Sequence, residues 1–155
     1  NPELRIMFTV SPIRHLRDGA HENQLSKSVL LLFVDELCRM YPDRCIYFPS
    51  YEIVMDELRD YRFYDAGMTH PNEQAIRYIW ERFSEACFSE ETRTLNREWE
   101  RLEKALNHRP LTPDKDTFRD FTVQNLFKLK KIREKYSYFD LSKEIDSLEL
   151  FLKTL

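Results

Sequence analysis

Hydrophobic positions in the first third of the chain change from a strand-like to a helix-like pattern and back. Residues 4–10 form a short apolar run that predicts a buried strand, and residues 45–48 predict a second one. Between them, apolar residues at helical spacing predict a helix over residues 23–40: Leu25, Val29, Leu32, Phe33, Leu37 and Met40. A strand, a helix and a strand within about 45 residues have the length of a βαβ unit, so a parallel sheet is expected.

From Asn72 onward the pattern is helical. Asn72 is the expected N-cap of the first of these helices, which reaches Cys87. Three more helices are predicted over residues 91–107, 114–135 and 142–153, with breaks at residues 108–110 and 113–114. A change of composition near Phe88 separates a mixed α/β portion, residues 1–88, from an all-helical extension, residues 89–155.

The composition is that of a soluble globular protein. Hydrophobic residues make up 42% of the chain, charged residues 33%, and the formal net charge is −3. This balance gives no general electrostatic reason to bind nucleic acid or anionic membranes, and no apolar run approaches the roughly 18 residues of a membrane span. Three cysteines, Cys38, Cys45 and Cys87, are an odd number without metal-ligand spacing. They are interpreted as buried thiols, which fits a reducing, cytoplasmic location without a metal.

Several strings in the sequence resemble a known family. They are YFPSYEIVMDELRDYRFY at residues 47–64, MTHPN at residues 68–72 and FTVSPIRH at residues 8–15. The tail adds FSEET at residues 88–92 and HRP at residues 108–110. Together they resemble the C-terminal part of a GSCFA domain. That family is regarded as related to the SGNH/GDSL hydrolases. The resemblance implies an α/β fold, here a partial three-layer flavodoxin-like sandwich followed by the helical extension.

The resemblance also implies a serine ester hydrolase, an esterase or deacetylase, that needs no cofactor. In such enzymes a histidine takes the proton of a serine hydroxyl, and a carboxylate orients the imidazole. His70 matches the family histidine, but Gly67 stands three residues before it, where the family pattern has aspartate. Asp65 is the nearest replacement, and the expectation is that a bend through Ala66 and Gly67 brings it to His70.

No glycine-flanked serine follows a strand in this sequence. Ser11 precedes a proline and is interpreted as a turn residue. We therefore expect the nucleophile on a missing N-terminal segment, and self-association through the unpaired strand at residues 4–10. Arg14 and His15 are candidate substrate-binding residues, for an acyl-ester small molecule or an acylated carbohydrate, although solvated loop residues are an equal alternative. Because Gly67 replaces the family aspartate, a non-catalytic helical interaction domain or a degraded hydrolase also remains open.

Overall fold

The computed structural model describes residues 1–107 and 115–154. The chain divides into two compact units, Asn1–Phe88 and Ser89–Leu155. The predicted breaks at residues 108–110 and 113–114 lie outside the described residues.

The first unit contains a parallel pair of short strands. β1, Ile6–Phe8, pairs with β2, Cys45–Tyr47, and Ile6 lies opposite Cys45. The 22-residue helix α1, Gly19–Met40, connects them. The parallel pairing predicted from the strand, helix and strand order is confirmed.

An irregular helical segment follows β2. A single α-helical turn, α2 at Ser50–Glu52, continues as a π-helical turn over Ile53–Leu58. Arg59 ends that turn in the left-handed region with φ 38°. A 3-10 turn, Tyr61–Phe63, comes next, and its N-cap Asp60 accepts a hydrogen bond from the Arg62 backbone at 2.8 Å. This segment therefore contains three kinds of helical turn within 14 residues.

The helix α3, Glu73–Cys87, completes the first unit. Its predicted N-cap is confirmed, because Asn72 Oδ1 accepts a hydrogen bond from the Ala75 backbone at 3.0 Å. Ala75 is fully buried and fixes the start of the helix against the unit.

The second unit is helical. It consists of α4, Glu90–Leu106, α5, Lys115–Lys135, and α6, Ser142–Thr154. α4 begins at the N-cap Ser89, whose hydroxyl accepts a hydrogen bond from the Thr92 backbone at 3.2 Å. One apolar core holds the three helices together, formed by Leu95, Leu102, Leu129, Ile132, Tyr136, Leu141 and Ile145.

The predicted three-layer flavodoxin-like sandwich is wrong. The structure is 68% helical, and its described residues contain two strands of three residues each, so no layered sheet forms. The apolar run at residues 4–10 is long enough for a strand, but only three of its residues have a ladder partner. Among the described helices, none is long and apolar enough to cross a lipid bilayer.

The predicted apolar face of α1 is exposed. Val29, Leu32 and Phe33 are among its accessible residues, and Leu32 is 70% exposed. The buried residues of this helix are Lys27 and Val34, seven positions apart and therefore on one face. The face that packs into the unit is thus not the one that the hydrophobic pattern indicates.

Candidate functional site

A closed loop carries His70. The backbone of Asp65 donates a hydrogen bond to the His70 carbonyl at 2.8 Å, and an antiparallel bridge joins Tyr64 to Pro71. Inside this closure, the Met68 backbone donates to the Asp65 carbonyl at 3.0 Å. These bonds bring the two ends of the loop together and hold Asp65 beside His70.

The carboxylate of Asp65 lies next to the His70 imidazole. Asp65 Oδ2 is 3.6 Å from His70 Nδ1, and the two side chains are 43% and 60% exposed. This distance exceeds the upper limit of about 3.2 Å for a hydrogen bond, although catalytic contacts are often long before substrate binds. The second oxygen, Oδ1, accepts a hydrogen bond from the Thr69 backbone at 3.3 Å. A carboxylate beside Nδ1 favours the proton on that nitrogen and leaves Nε2 free to act as a base.

The predicted bend through Ala66 and Gly67 is present, because the Met68 backbone donates its hydrogen bond to the Asp65 carbonyl across a turn with these two residues at its centre. The left-handed residue of the loop is Met68, with φ 57°, whereas φ of Gly67 is not positive. The bend therefore does not depend on the freedom of glycine to adopt positive φ. A Cβ atom on Gly67 would lie 3.4 Å from Asp65 Oδ1, so this position is next to the carboxylate that stands by His70.

Arg14 is attached to the His70 loop by two hydrogen bonds. Its backbone donates to the Thr69 carbonyl at 3.0 Å, and its guanidinium Nη1 donates to the Met68 carbonyl at 3.2 Å. The guanidinium also lies 5.7 Å from the centre of the Tyr61 ring and 5.8 Å from that of Tyr64, within cation–π range. The structure therefore brings one of the two predicted binding residues to the candidate site.

His15 is placed differently. It is exposed, and its backbone donates a hydrogen bond to Asn23 Oδ1 at 2.8 Å. In the part of the chain that the structure describes, no hydrogen bond or ion pair joins the His15 ring to Asp65 or His70. A binding role for His15 stays a prediction.

The described residues do not offer His70 a nucleophile. No hydroxyl or thiol among residues 1–107 and 115–154 donates a hydrogen bond to its imidazole. The Ser11 hydroxyl instead accepts a hydrogen bond from the Ile13 backbone at 3.2 Å, as in a local serine turn. In the same ranges, no group of three or more His, Cys, Asp or Glu side chains is placed to hold a metal ion.

One buried charged residue of the first unit was not identified as a site residue from the sequence. Lys27 lies on the buried face of α1 and is 3% exposed, and burial lowers the pKa of its ammonium. The sequence signal for its burial was its spacing of seven residues from Val34, which places both residues on one face of α1. The more numerous apolar residues on the other side of α1 obscured it.

The described chain is mostly helical with a two-stranded parallel sheet, and a loop of the first unit places a carboxylate beside a histidine. The model of the GSCFA family matches residues 1–83, and that of the GSCFA domain protein, C-terminal domain, matches residues 99–154. The chain belongs to the GSCFA family, as the strings at residues 8–15 and 47–72 predict. No curated protein and no solved structure matches the chain.

Proposed function

We propose that this chain supplies the histidine base and its orienting carboxylate to a serine ester hydrolase, an esterase or deacetylase related to the SGNH/GDSL enzymes. The observation that carries the proposal is the 3.6 Å approach of Asp65 Oδ2 to His70 Nδ1, on a loop closed by backbone hydrogen bonds. Membership of the GSCFA family supports it through the relation to those hydrolases that the resemblance implies.

The proposed reaction begins at His70 Nε2. This nitrogen takes the proton of a serine hydroxyl while the serine oxygen forms a bond to the acyl carbon. Asp65 stabilises the resulting imidazolium through Nδ1. The imidazolium then gives its proton to the departing alcohol oxygen, and a water molecule activated by the same base hydrolyses the acyl-enzyme. Side chains and water are sufficient for these steps, so the proposal includes no cofactor.

The nucleophilic serine of this proposal lies outside the 155 residues. Ser11 is engaged with the Ile13 backbone, and its hydrogen bond serves the turn after β1. The substrate is an acyl-ester small molecule or an acylated carbohydrate.

A cytoplasmic location is part of the same proposal. Cys38, Cys45 and Cys87 are all free thiols, and Cys45 is buried. Free thiols are typical of reducing compartments.

The test uses the protein made from the complete coding sequence, with p-nitrophenyl acetate as substrate. We expect His70→Ala to abolish most hydrolysis and Asp65→Asn to lower kcat/KM by about 10⁴-fold, as loss of an orienting aspartate does in serine hydrolases. His21→Ala is the matched control, because His21 is an exposed histidine on α1 of the same unit. Its kcat/KM should equal that of the wild type.

Two outcomes contradict the proposal. One is hydrolysis that is equally fast in the wild type and in His70→Ala. The other is an Asp65→Asn variant with unchanged kcat/KM together with a Gly67→Asp variant that is much faster than the wild type. The second outcome identifies a degraded hydrolase whose carboxylate is lost, and it favours the helical interaction domain.

A further inference from the structure

A cavity of about 300 Å³ lies in the first unit. Its walls are the loop at residues 12–16, the first turns of α1 and the irregular segment from Tyr51 to Tyr64. The volume is at the lower end of the range of small-molecule sites, about 300–1,000 Å³. Asp65 and His70 do not line it, so the cavity is distinct from the proposed catalytic pair.

The deepest charge in the cavity wall is Lys27. The residue is 3% exposed, and it lines the cavity. No acidic side chain among the described residues forms an ion pair with it. A lysine ammonium in a cavity wall, without an acidic partner, is available to a ligand that enters the cavity. A ligand with a negative charge would supply that partner.

Positive charge exceeds negative charge around the cavity. Arg14 and Arg59 line it together with Lys27, and the one carboxylate is that of Asp60. Asp60 is already engaged, since its Oδ1 accepts from the Arg62 backbone and its Oδ2 lies 3.8 Å from the Arg62 side chain. Among the described residues, three cations and one carboxylate therefore line the cavity, an excess of positive charge.

The backbone at Arg59 is strained. A φ of 38° is uncommon for a residue with a long side chain, and such residues cluster at binding sites. This conformation ends the π-helical turn at the position where the Arg59 side chain borders the cavity. No ion pair within the described parts of the chain engages its guanidinium.

Tyrosine rings form the remaining wall. Tyr51, Tyr61 and Tyr64 line the cavity, and the Tyr51 hydroxyl donates a hydrogen bond to Gln24 Oε1 at 3.1 Å. Aromatic faces beside cations suit a ligand that joins an anionic group to a flat or apolar body. We propose that this cavity is a binding site for an organic anion, a carboxylate or phosphate ester on a ring-sized group, held by Lys27 and Arg59.

The proposal is tested by isothermal titration calorimetry on the 155-residue chain at pH 7. The probes are phenyl phosphate, benzoate and inorganic phosphate, with benzyl alcohol as the neutral analogue. We expect an aromatic anion to bind and benzyl alcohol to give no heat of binding. Tighter binding of phenyl phosphate assigns the site to phosphate esters, and tighter binding of benzoate assigns it to carboxylates. Inorganic phosphate, which cannot use the tyrosine wall, should bind more weakly than phenyl phosphate.

Two variants locate the bound anion. Lys27→Met keeps the length of the side chain without its charge, and we expect its Kd to rise about tenfold or more, the effect of losing one charged contact. Arg59→Gln, at an exposed position, should weaken binding in the same direction. Arg77→Gln is the control for net charge, because Arg77 is exposed on α3 outside the cavity, and its Kd should not change.

Three results overturn the proposal. They are the absence of binding by every anionic probe, equal affinity of the wild type and both cavity variants, and equal weakening by Arg77→Gln, which would indicate a general surface charge. The assay measures binding without hydrolysis. Its failure therefore leaves the proposed roles of Asp65 and His70 unaffected, and failure of the esterase test leaves this site unaffected.

Discussion

Replacing Lys27 by methionine should stabilise the first unit. Lys27 is 3% exposed and has no acidic partner among the described residues, and methionine fills a similar space without a charge. The free energy of unfolding at pH 7 should rise by about 1 kcal/mol, the lower end of the cost of an unsatisfied polar group, because Lys27 lines a cavity that water can enter.

The stabilisation should depend on pH. Burial lowers the pKa of Lys27 below its ordinary value of 10.5. Between the two pKa values the unfolded chain holds a proton that the native protein has released, so the stability of the wild type rises with pH in this interval. The slope reaches up to about 1.4 kcal/mol per pH unit for one proton. The advantage of Lys27→Met should therefore shrink as the pH approaches 10.5.

Urea denaturation at pH 7, 8.5 and 10 measures this effect. Trp99→Phe provides a suitable background, because Trp80 of the first unit is then the only tryptophan to fluoresce. Arg77→Met is the control, an exposed residue whose replacement should change stability by less than about 0.5 kcal/mol. A Lys27→Met variant that is less stable than the wild type at pH 7, or whose advantage is independent of pH, would refute the reasoning.

Three further predictions concern other parts of the molecule. Tyr47→Phe should lower stability by about 1.5–3 kcal/mol at pH 8, because the Tyr47 hydroxyl donates to Glu52 Oε2 at 2.8 Å. Burial and the Glu52 carboxylate raise the pKa of Tyr47, so the wild type should lose stability as the pH rises above 10. In urea denaturation, the free energy of unfolding of Tyr47→Phe should decline less steeply over the same pH range. The 155-residue chain alone should hydrolyse p-nitrophenyl acetate no faster than its His70→Ala variant; a clear difference would reveal a nucleophile within it. Leu32→Glu should reduce self-association in sedimentation velocity, because Leu32 is 70% exposed on the apolar face of α1; a wild type that is monomeric at all concentrations would contradict this.

Local signals predicted the helices well. Asn72 before a helical pattern identified the start of α3, since the N-cap hydrogen bond is made by residues three apart in sequence. α4, α5 and α6 begin and end within one residue of their predicted limits over the described residues, because turn residues and apolar spacing act locally. The start of α1 was predicted four residues late, at Asn23, whose side chain instead accepts from the His15 backbone.

The features that sequence reasoning missed depend on distant contacts. An apolar run predicts a strand, but it does not give the number of neighbouring strands. The sequence therefore could not show whether β1 pairs with one strand over three residues or belongs to a layered sheet. Periodicity likewise identifies two faces of α1 without showing which one is covered, and the smaller face with Lys27 is the buried one. The left-handed Met68 was unpredictable, because glycine is the expected residue at positive φ and Gly67 stands beside it.

Arg14 connects the two proposed sites. Its backbone and guanidinium are bonded to the Thr69 and Met68 carbonyls of the His70 loop, and its side chain also lines the cavity that contains Lys27. An anion in the cavity could use the remaining donors of this guanidinium, because arginine has five N–H groups and the Met68 carbonyl engages only Nη1. From its place after β1, the sequence predicts a binding role for Arg14, with a solvated loop residue as an equal alternative, and that role stays a prediction. In the structure the guanidinium bonds to the His70 loop and lies beside two tyrosine rings of the cavity wall.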